Sequence, residues 1–263
     1  MTTYETLLIS LPDSHIMQIT LNRPEVANAF NTQMALDLVS AFESAAMDPS
    51  NIRAIILTGS GSRAFCAGGD LKERNGMSNA TWGKQHLIYE RMARAVINCP
   101  IPIIGAINGA AYGGGCELAA AVDFAYVAEG VKFAQTEVKI GIIPGAGGTQ
   151  TLSRAIGERR AKELILTGQV FTAQQALKWG LANAVYPLKD LLPKAIATAQ
   201  AIAANAPLAV RQAKQAISKG PSMGLNDGLA FEIEAYNRTI PTQDRLEGVL
   251  AFNEKRSPNF TGN

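Results

Sequence analysis

The hydrophobic positions change period repeatedly along the chain, and each change predicts a new element. Residues 15–21 form an amphipathic run closed by Asn22-Arg23-Pro24, which reads as a strand followed by a turn. From Asn31, a capping residue, Met34, Leu38, Ala41, Phe42 and Ala45 recur at helical spacing until Asp48-Pro49-Ser50 interrupts them. Residues 52–58 are apolar at nearly every position, as in a strand covered on both faces, and run into Gly59-Ser60-Gly61. After a polar, glycine-containing stretch over 71–83, the pattern predicts a helix over 84–97 and a strand over 101–107. A helix through 118–122, a strand over 124–127 and short helices over 159–166 and 173–179 follow. This recurrent strand-then-helix order predicts a layered α/β core. From Pro193 onward the character changes to Ala-rich helical segments over 194–204, 208–218 and about 225–238, with a polar tail after Arg256.

Length and composition narrow the picture without naming a function. The 263 residues correspond to roughly 1.8 domains at about 150 residues each, so a large domain with an appendage fits. A 47% hydrophobic and 17% charged composition excludes intrinsic disorder as the main state. The 24 Lys plus Arg against 22 Asp plus Glu leave a net charge of +2, too small for a nucleic-acid coat. The opening MTTYETLLIS has no basic stretch leading into a long apolar run, so a cytoplasmic location is expected. The apolar stretch 101–128 contains Pro102, the Gly113-Gly114-Gly115 run, Glu117 and Asp123, so it reads as enzyme core rather than a membrane span. Cys66, Cys99 and Cys116 suit reduced core thiols. His15 and His86 are too sparse for a metal centre, and no metal is expected. No glycine-rich segment ends in Gly-Lys-Ser/Thr, and Gly145 to Gly148 lacks the context of a dinucleotide fingerprint.

Candidate chemistry lies in three glycine-rich segments. Glu117 ends the run Ala110 to Cys116, where a carboxylate incurs a desolvation cost unless it is hydrogen-bonded or used. The glycines before it let a substrate approach backbone N–H groups at a helix start, although a tight strand-to-helix junction would need the same residues. Glu137 lies twenty residues later. If the two carboxylates meet across a pocket, like charge and burial would separate their protonation and make an acid/base pair; alone, Glu137 is a turn residue. In Ala67-Gly68-Gly69-Asp70-Leu71, the Gly69 amide is a further donor, and Asp70 suits loop bracing better than proton transfer.

Four separated motifs together resemble the enoyl-CoA hydratase/isomerase, or crotonase, superfamily over essentially the whole chain. They are Asn22-Arg23-Pro24 with Asn28-Ala29-Phe30, then Phe65 to Leu71, Asn108 to Ala119, and Gly141 to Gln150. The resemblance implies an α/β crotonase (ClpP-like) spiral of ββα units over 1–192, with a C-terminal helical trimerisation region over 193–263. Trimers of this superfamily commonly pair into hexamers. It also implies that the backbone N–H groups of Gly69 and Gly114 polarise an acyl-CoA thioester carbonyl. Glu117 then takes a proton from water adding at C3, and Glu137 supplies the proton at C2. Arg23, Val26 and Ala27 are implied to approach the CoA phosphate and pantetheine, while Ala67, Gly68, Asp70 and Leu71 line the adenine end. CoA enters as part of the substrate, so no separate cofactor is expected.

The implied activity is enoyl-CoA hydration, in fatty-acid or branched-chain amino-acid degradation. Within the superfamily, Leu71 to Arg74, Thr136 to Lys139 and Thr239 to Gly248 look most like the AU-rich-RNA-binding hydratases that act on 3-methylglutaconyl-CoA. That compound is the rival substrate. An enoyl-CoA isomerase, or a noncatalytic scaffold that binds acyl-CoA or RNA, would carry the same fold and competes with the hydratase. RNA binding is disfavoured, because residues 31–51 contain no Lys or Arg where the RNA-binding relatives carry a lysine-rich helix. Thr136 departs from the proline common before the second glutamate, which implies a less rigid approach to that loop.

Overall fold

A computed structural model describes residues 3–47 and 51–263. The expected helix break at Asp48-Pro49-Ser50 lies outside the described residues.

The long apolar runs do become central strands. β1 (Leu7–Asp13), β2 (Ile16–Leu21), β3 (Ala54–Gly59), β5 (Ile103–Ile107), β7 (Phe124–Ala128) and β10 (Ala184–Tyr186) form one six-stranded sheet in that spatial order. Only the β1–β2 pair is antiparallel. Every residue of β3 and β5 is buried, as the absence of alternation predicts for strands covered on both faces. A second, four-stranded sheet joins β4 (Ala64–Cys66), β6 (Ala110–Tyr112), β8 (Lys132–Ala134) and β9 (Val170–Thr172). These three-residue strands are too short to show a period, and three of them lie inside or beside the glycine-rich motifs, so the hydrophobic pattern hides them.

The helix α1 (Thr32–Met47) buries Met34, Leu38, Ala41, Phe42 and Ala45, the face its spacing predicts. After the short α2 (Leu71–Arg74), α3 (Asn79–Ile97) begins five residues before position 84. Ser78 caps it by accepting a hydrogen bond from the Thr81 amide, and Gly83 inside it is exposed and meets nothing. α4 (Gly114–Ala121) likewise starts at the glycine run itself, which places Glu117 in its first turn. Two helices that the pattern does not announce follow: α5 (Gly148–Ile156) and, near the C terminus, α11 (Gln243–Glu254). Between them lie α6 (Glu158–Thr167), α7 (Ala173–Trp179), α8 (Leu188–Ala203), α9 (Pro207–Lys219) and α10 (Leu225–Asn237).

Position 193 falls within α8, which carries Pro193 inside it and buries Leu191, Ala195, Ala199 and Ala203 in the same core as the large sheet. The compositional change at Pro193 therefore marks a helix that roofs the sheet. The chain leaves the core only with α9. The polar tail after Arg256 is also docked: the buried Asp244 carboxylate accepts from the amides of Thr261 (2.7 Å) and Gly262 (2.9 Å), and Arg53 donates to the Phe260 carbonyl (2.8 Å). Among the described residues, no helix is long and apolar enough to cross a membrane.

Candidate active site

The three glycine-rich segments converge on one cavity of about 520 Å³, a size suited to a small organic group. The segment before α2 contributes Ala67, Gly68, Gly69 and Leu71, and the start of α4 contributes Gly113, Gly114 and Glu117. The turn after β8 contributes Thr136 and Glu137, and residues 142–146 close the far side. Gly68 has φ +95°, and a Cβ there would stand 2.8 Å from the Tyr112 carbonyl and 3.1 Å from the Gly114 nitrogen. The first two segments thus approach backbone to backbone, a contact only glycine permits.

Phe30 fixes that approach. Its amide donates to the Gly68 carbonyl (2.9 Å), and its carbonyl accepts from the Asp70 amide (2.9 Å) and the Tyr89 hydroxyl (3.0 Å). Its ring lies where a Gly114 side chain would go, 2.3 Å from a Cβ built there. The amides of Gly69, held between these bonds, and of Gly114, the first residue of α4, have no acceptor among the described residues. Two unpaired donors therefore border the cavity, free for an oxygen of a bound molecule.

Glu117 and Glu137 line this cavity together, with only 3% and 8% exposure. One Glu117 oxygen, Oε1, accepts from the Ala146 amide (2.8 Å) and the Gly148 amide (2.7 Å). Burial pushes its carboxyl above the ordinary carboxylate range against the pull of these amides. Glu137 has a weaker hold on its charge. Burial first, and the Glu117 charge in addition, push it up to about 7. The fully buried Gln135 amide, turned with its nitrogen toward Glu137, donates to both carboxylate oxygens at 3.1 Å. The two carboxylates thus line one cavity in different surroundings: two backbone donors oppose the upward push on Glu117, whereas Glu137 is pushed up to about 7.

The Glu137 loop is firmly held without a preceding proline. Thr136 has φ −102°, outside the range proline holds, and Glu137–Ile140 forms a 3-10 turn closed by Gly141 at φ +77°. Lys139 spans from this turn to the Gly168 carbonyl (2.6 Å), and a Cβ at Gly168 would collide with its side chain.

The residues expected along the CoA divide into two groups. Ala67, Gly68 and Leu71 line the cavity; Arg23, Val26, Ala27 and Asp70 are not among its lining residues. Asp70 is a brace. Its oxygens accept from the Lys72 (3.0 Å) and Glu73 (3.3 Å) amides at the start of α2 and from Arg23 Nη1 (3.0 Å). Burial works to raise its carboxyl, but Arg23 and the two amides outweigh it and hold it below the ordinary value. Arg23 also donates to the Ala29 carbonyl (2.6 Å), and the Ala67 amide donates to the Ala27 carbonyl (3.0 Å), tying the 23–28 turn to the site.

Residues 12–263 match the enoyl-CoA hydratase/isomerase family. The chain belongs to that family. It is 46% identical to a Bacillus subtilis protein named for enoyl-CoA hydratase/isomerase, over 98% of this chain and 99% of the relative. It is 38% identical to a short-chain-enoyl-CoA hydratase of Clostridium acetobutylicum, over 93% of each. The crystal structure of an enoyl-CoA hydratase from Bacillus anthracis superposes with a TM-score of 0.92 at 44% identity, covering 98% of this chain and all of that one. The likeness to this enoyl-CoA hydratase/isomerase family thus runs along nearly all of the chain, and hydratases are among the relatives.

Other lining residues of the hydratase/isomerase site carry no motif. Trp82, His86 and Tyr89 come from one face of α3 at spacings of four and three, joined by Arg74 and by Ile140, Ile142 and Ile143. The helical spacing of Trp82, His86 and Tyr89 was the available signal, and it marks a cavity-facing stripe as readily as a packed one.

Proposed function

We propose that the chain adds water reversibly across the C2=C3 bond of trans-2-enoyl-CoA to give 3-hydroxyacyl-CoA. The observation that carries this reading is the pair of buried carboxylates facing a cavity bordered by two unpaired backbone amides. The thioester oxygen accepts from the Gly69 and Gly114 amides, which stabilise the negative charge that develops on it during addition. Glu117, its Oε1 held by two amides, keeps Oε2 for water. As the water oxygen bonds to C3, its proton passes to Glu117, and the C2=C3 electron pair moves into the thioester enolate. Glu137 then delivers its proton to C2, and proton exchange with solvent resets the pair. An isomerase would need one carboxylate to shuttle a proton; two carboxylates of differing protonation suit the addition of water.

The test is a substrate panel of crotonyl-CoA, longer enoyl-CoAs and 3-methylglutaconyl-CoA. The expected result is loss of conjugated thioester absorbance with the mass of one water gained by the acyl product. Failure to hydrate any of them sinks the reading.

The pH profile carries a sign. Hydration uses protonated Glu137, and a carboxyl raised to about 7 holds its proton below that pH and loses it above. Hydration kcat/KM should therefore fall about tenfold per pH unit above about 7, and dehydration kcat/KM should fall in parallel, because it starts from the same singly protonated pair and the reaction exchanges no net proton. A hydration profile flat from pH 6 to 9 would contradict the assignment.

Assembly into trimers, or hexamers as pairs of trimers, is supported by α10, which exposes Leu225, Leu229, Ile233 and Tyr236 along one side. In this reading residues beyond the core serve assembly.

A further inference from the structure

Tyr89 is a buried titratable group on the cavity that the hydration mechanism does not use. It belongs to the core-facing stripe of α3, with Gln85, Met92, Ala93 and Val96, and is 3% exposed. Its one hydroxyl proton is spent on the Phe30 carbonyl (3.0 Å), not held ready for a substrate. Burial pushes the phenol further above its ordinary range, which keeps that proton in place through neutral and mildly alkaline pH.

The bond falls on the residue that borders both donors of the site. Phe30 and Gly69 form a parallel bridge: the Phe30 amide donates to the Gly68 carbonyl (2.9 Å), and the Phe30 carbonyl accepts from the Asp70 amide (2.9 Å). Phe30 thereby bonds the two residues that flank Gly69, and the Gly69 amide itself turns away from it. The Phe30 ring fills the place a Gly114 side chain would take. Tyr89 braces this residue at both ends. Its hydroxyl takes the second lone pair of the Phe30 carbonyl, and its ring meets the Phe30 ring edge-on, with centroids 4.8 Å apart and planes at 82°. Its Cε2 also lies 3.7 Å from where a Gly69 Cβ would stand. One side chain of α3 thus reaches both donor segments. Such donors stabilise a developing charge only when their spacing is fixed before the charge appears. We propose that Tyr89 is a positioning residue of the hydration site: through the carbonyl and ring of Phe30 it sets the spacing of the Gly69 and Gly114 amides, and with it how strongly the thioester carbonyl is polarised. This role deepens the hydratase reading above and rests on it.

The test is Tyr89→Phe, which removes the hydroxyl and keeps the ring, with Val96→Ala as control. Val96 is 1% exposed on the same helix and does not line the cavity, so trimming it loosens the core alone. Kinetics are measured with crotonyl-CoA well below each melting temperature, and carbonyl polarisation is read from the red shift of cinnamoyl-CoA absorbance on saturating binding. Tyr89→Phe should lower kcat about tenfold, a part of the loss expected for a whole donor, with KM within about twofold of wild type. Its bound cinnamoyl-CoA should shift less far to the red. Val96→Ala should lower the melting temperature, keep kcat within about twofold and keep the full shift, as a purely structural Tyr89 would. An unchanged shift in Tyr89→Phe overturns the inference. So does a wild type whose cinnamoyl-CoA shows no red shift, or a loss of shift in Val96→Ala equal to that in Tyr89→Phe. The spectrum needs no turnover, which separates the two readings. A red shift that depends on Tyr89, without hydration of any enoyl-CoA, removes the hydratase and keeps the hold of Tyr89 on the donors; hydration with an unchanged shift does the reverse.

Discussion

Glu117→Gln should lower kcat for crotonyl-CoA hydration by about 10²- to 10⁴-fold, the range for a lost general base, while the protein stays folded. The substitution isolates chemistry from architecture. A glutamine keeps a carbonyl oxygen where Oε1 accepts from the Ala146 and Gly148 amides, so the loop retains both of its anchors. It cannot take a proton from water. Because a buried charge becomes neutral, the melting temperature should stay level or rise. Steady-state hydration with thermal unfolding on the same samples checks both parts. Turnover within about threefold of wild type would remove Glu117 from the mechanism, and Glu137→Gln provides the matching test of the acid.

Gly114→Ala should be the most damaging single-methyl change at the site, and Gly69→Ala much milder. A Cβ at Gly114 would stand 2.3 Å from Phe30 Cζ and 2.5 Å from Cε1, so the ring must move. Phe30 cannot yield alone, because its backbone holds Gly68 and Asp70 and its ring packs edge-on against Tyr89 with centroids 4.8 Å apart. Overpacking of this kind costs about 1–3 kcal/mol, and displacing one oxyanion donor costs about 10²- to 10³-fold in kcat. At Gly69 the nearest atom to a new Cβ is 3.7 Å away, in Tyr89. Parallel measurement of kcat and melting temperature for the two variants decides the matter. Equal effects would mean that the Phe30 wall does not set the Gly114 position.

Through their local sequence, the motifs that carry the family resemblance made both glutamates and both donor glycines legible as candidates, and the fold lines one cavity with all four. Burial on both faces made β3 and β5 legible for the same local reason. What stayed hidden depends on distant partners. Arg74 was legible as part of the Leu71 to Arg74 motif but not as a cavity residue, and only the fold stacks it against Trp82 and Tyr89. The start of α3 was obscured because Gly83 reads as a breaker, whereas Ser78 caps the helix a turn earlier. Asn28 was legible as motif but not as function: it is fully buried at φ +54°, and its side chain bonds Arg23, Ser60 and Ala64, holding the turn that supports the cavity wall.

Phe30 also bears on how the enzyme should fail when heated. The residue lies two positions before α1, and through it the spacing of the Gly69 and Gly114 amides is set by the main core rather than by surface loops. Loops at many binding sites open well below the global melting transition. Here the two donors are tied to the core through Phe30, so heat inactivation is expected to coincide with global unfolding when activity and melting are followed on the same sample.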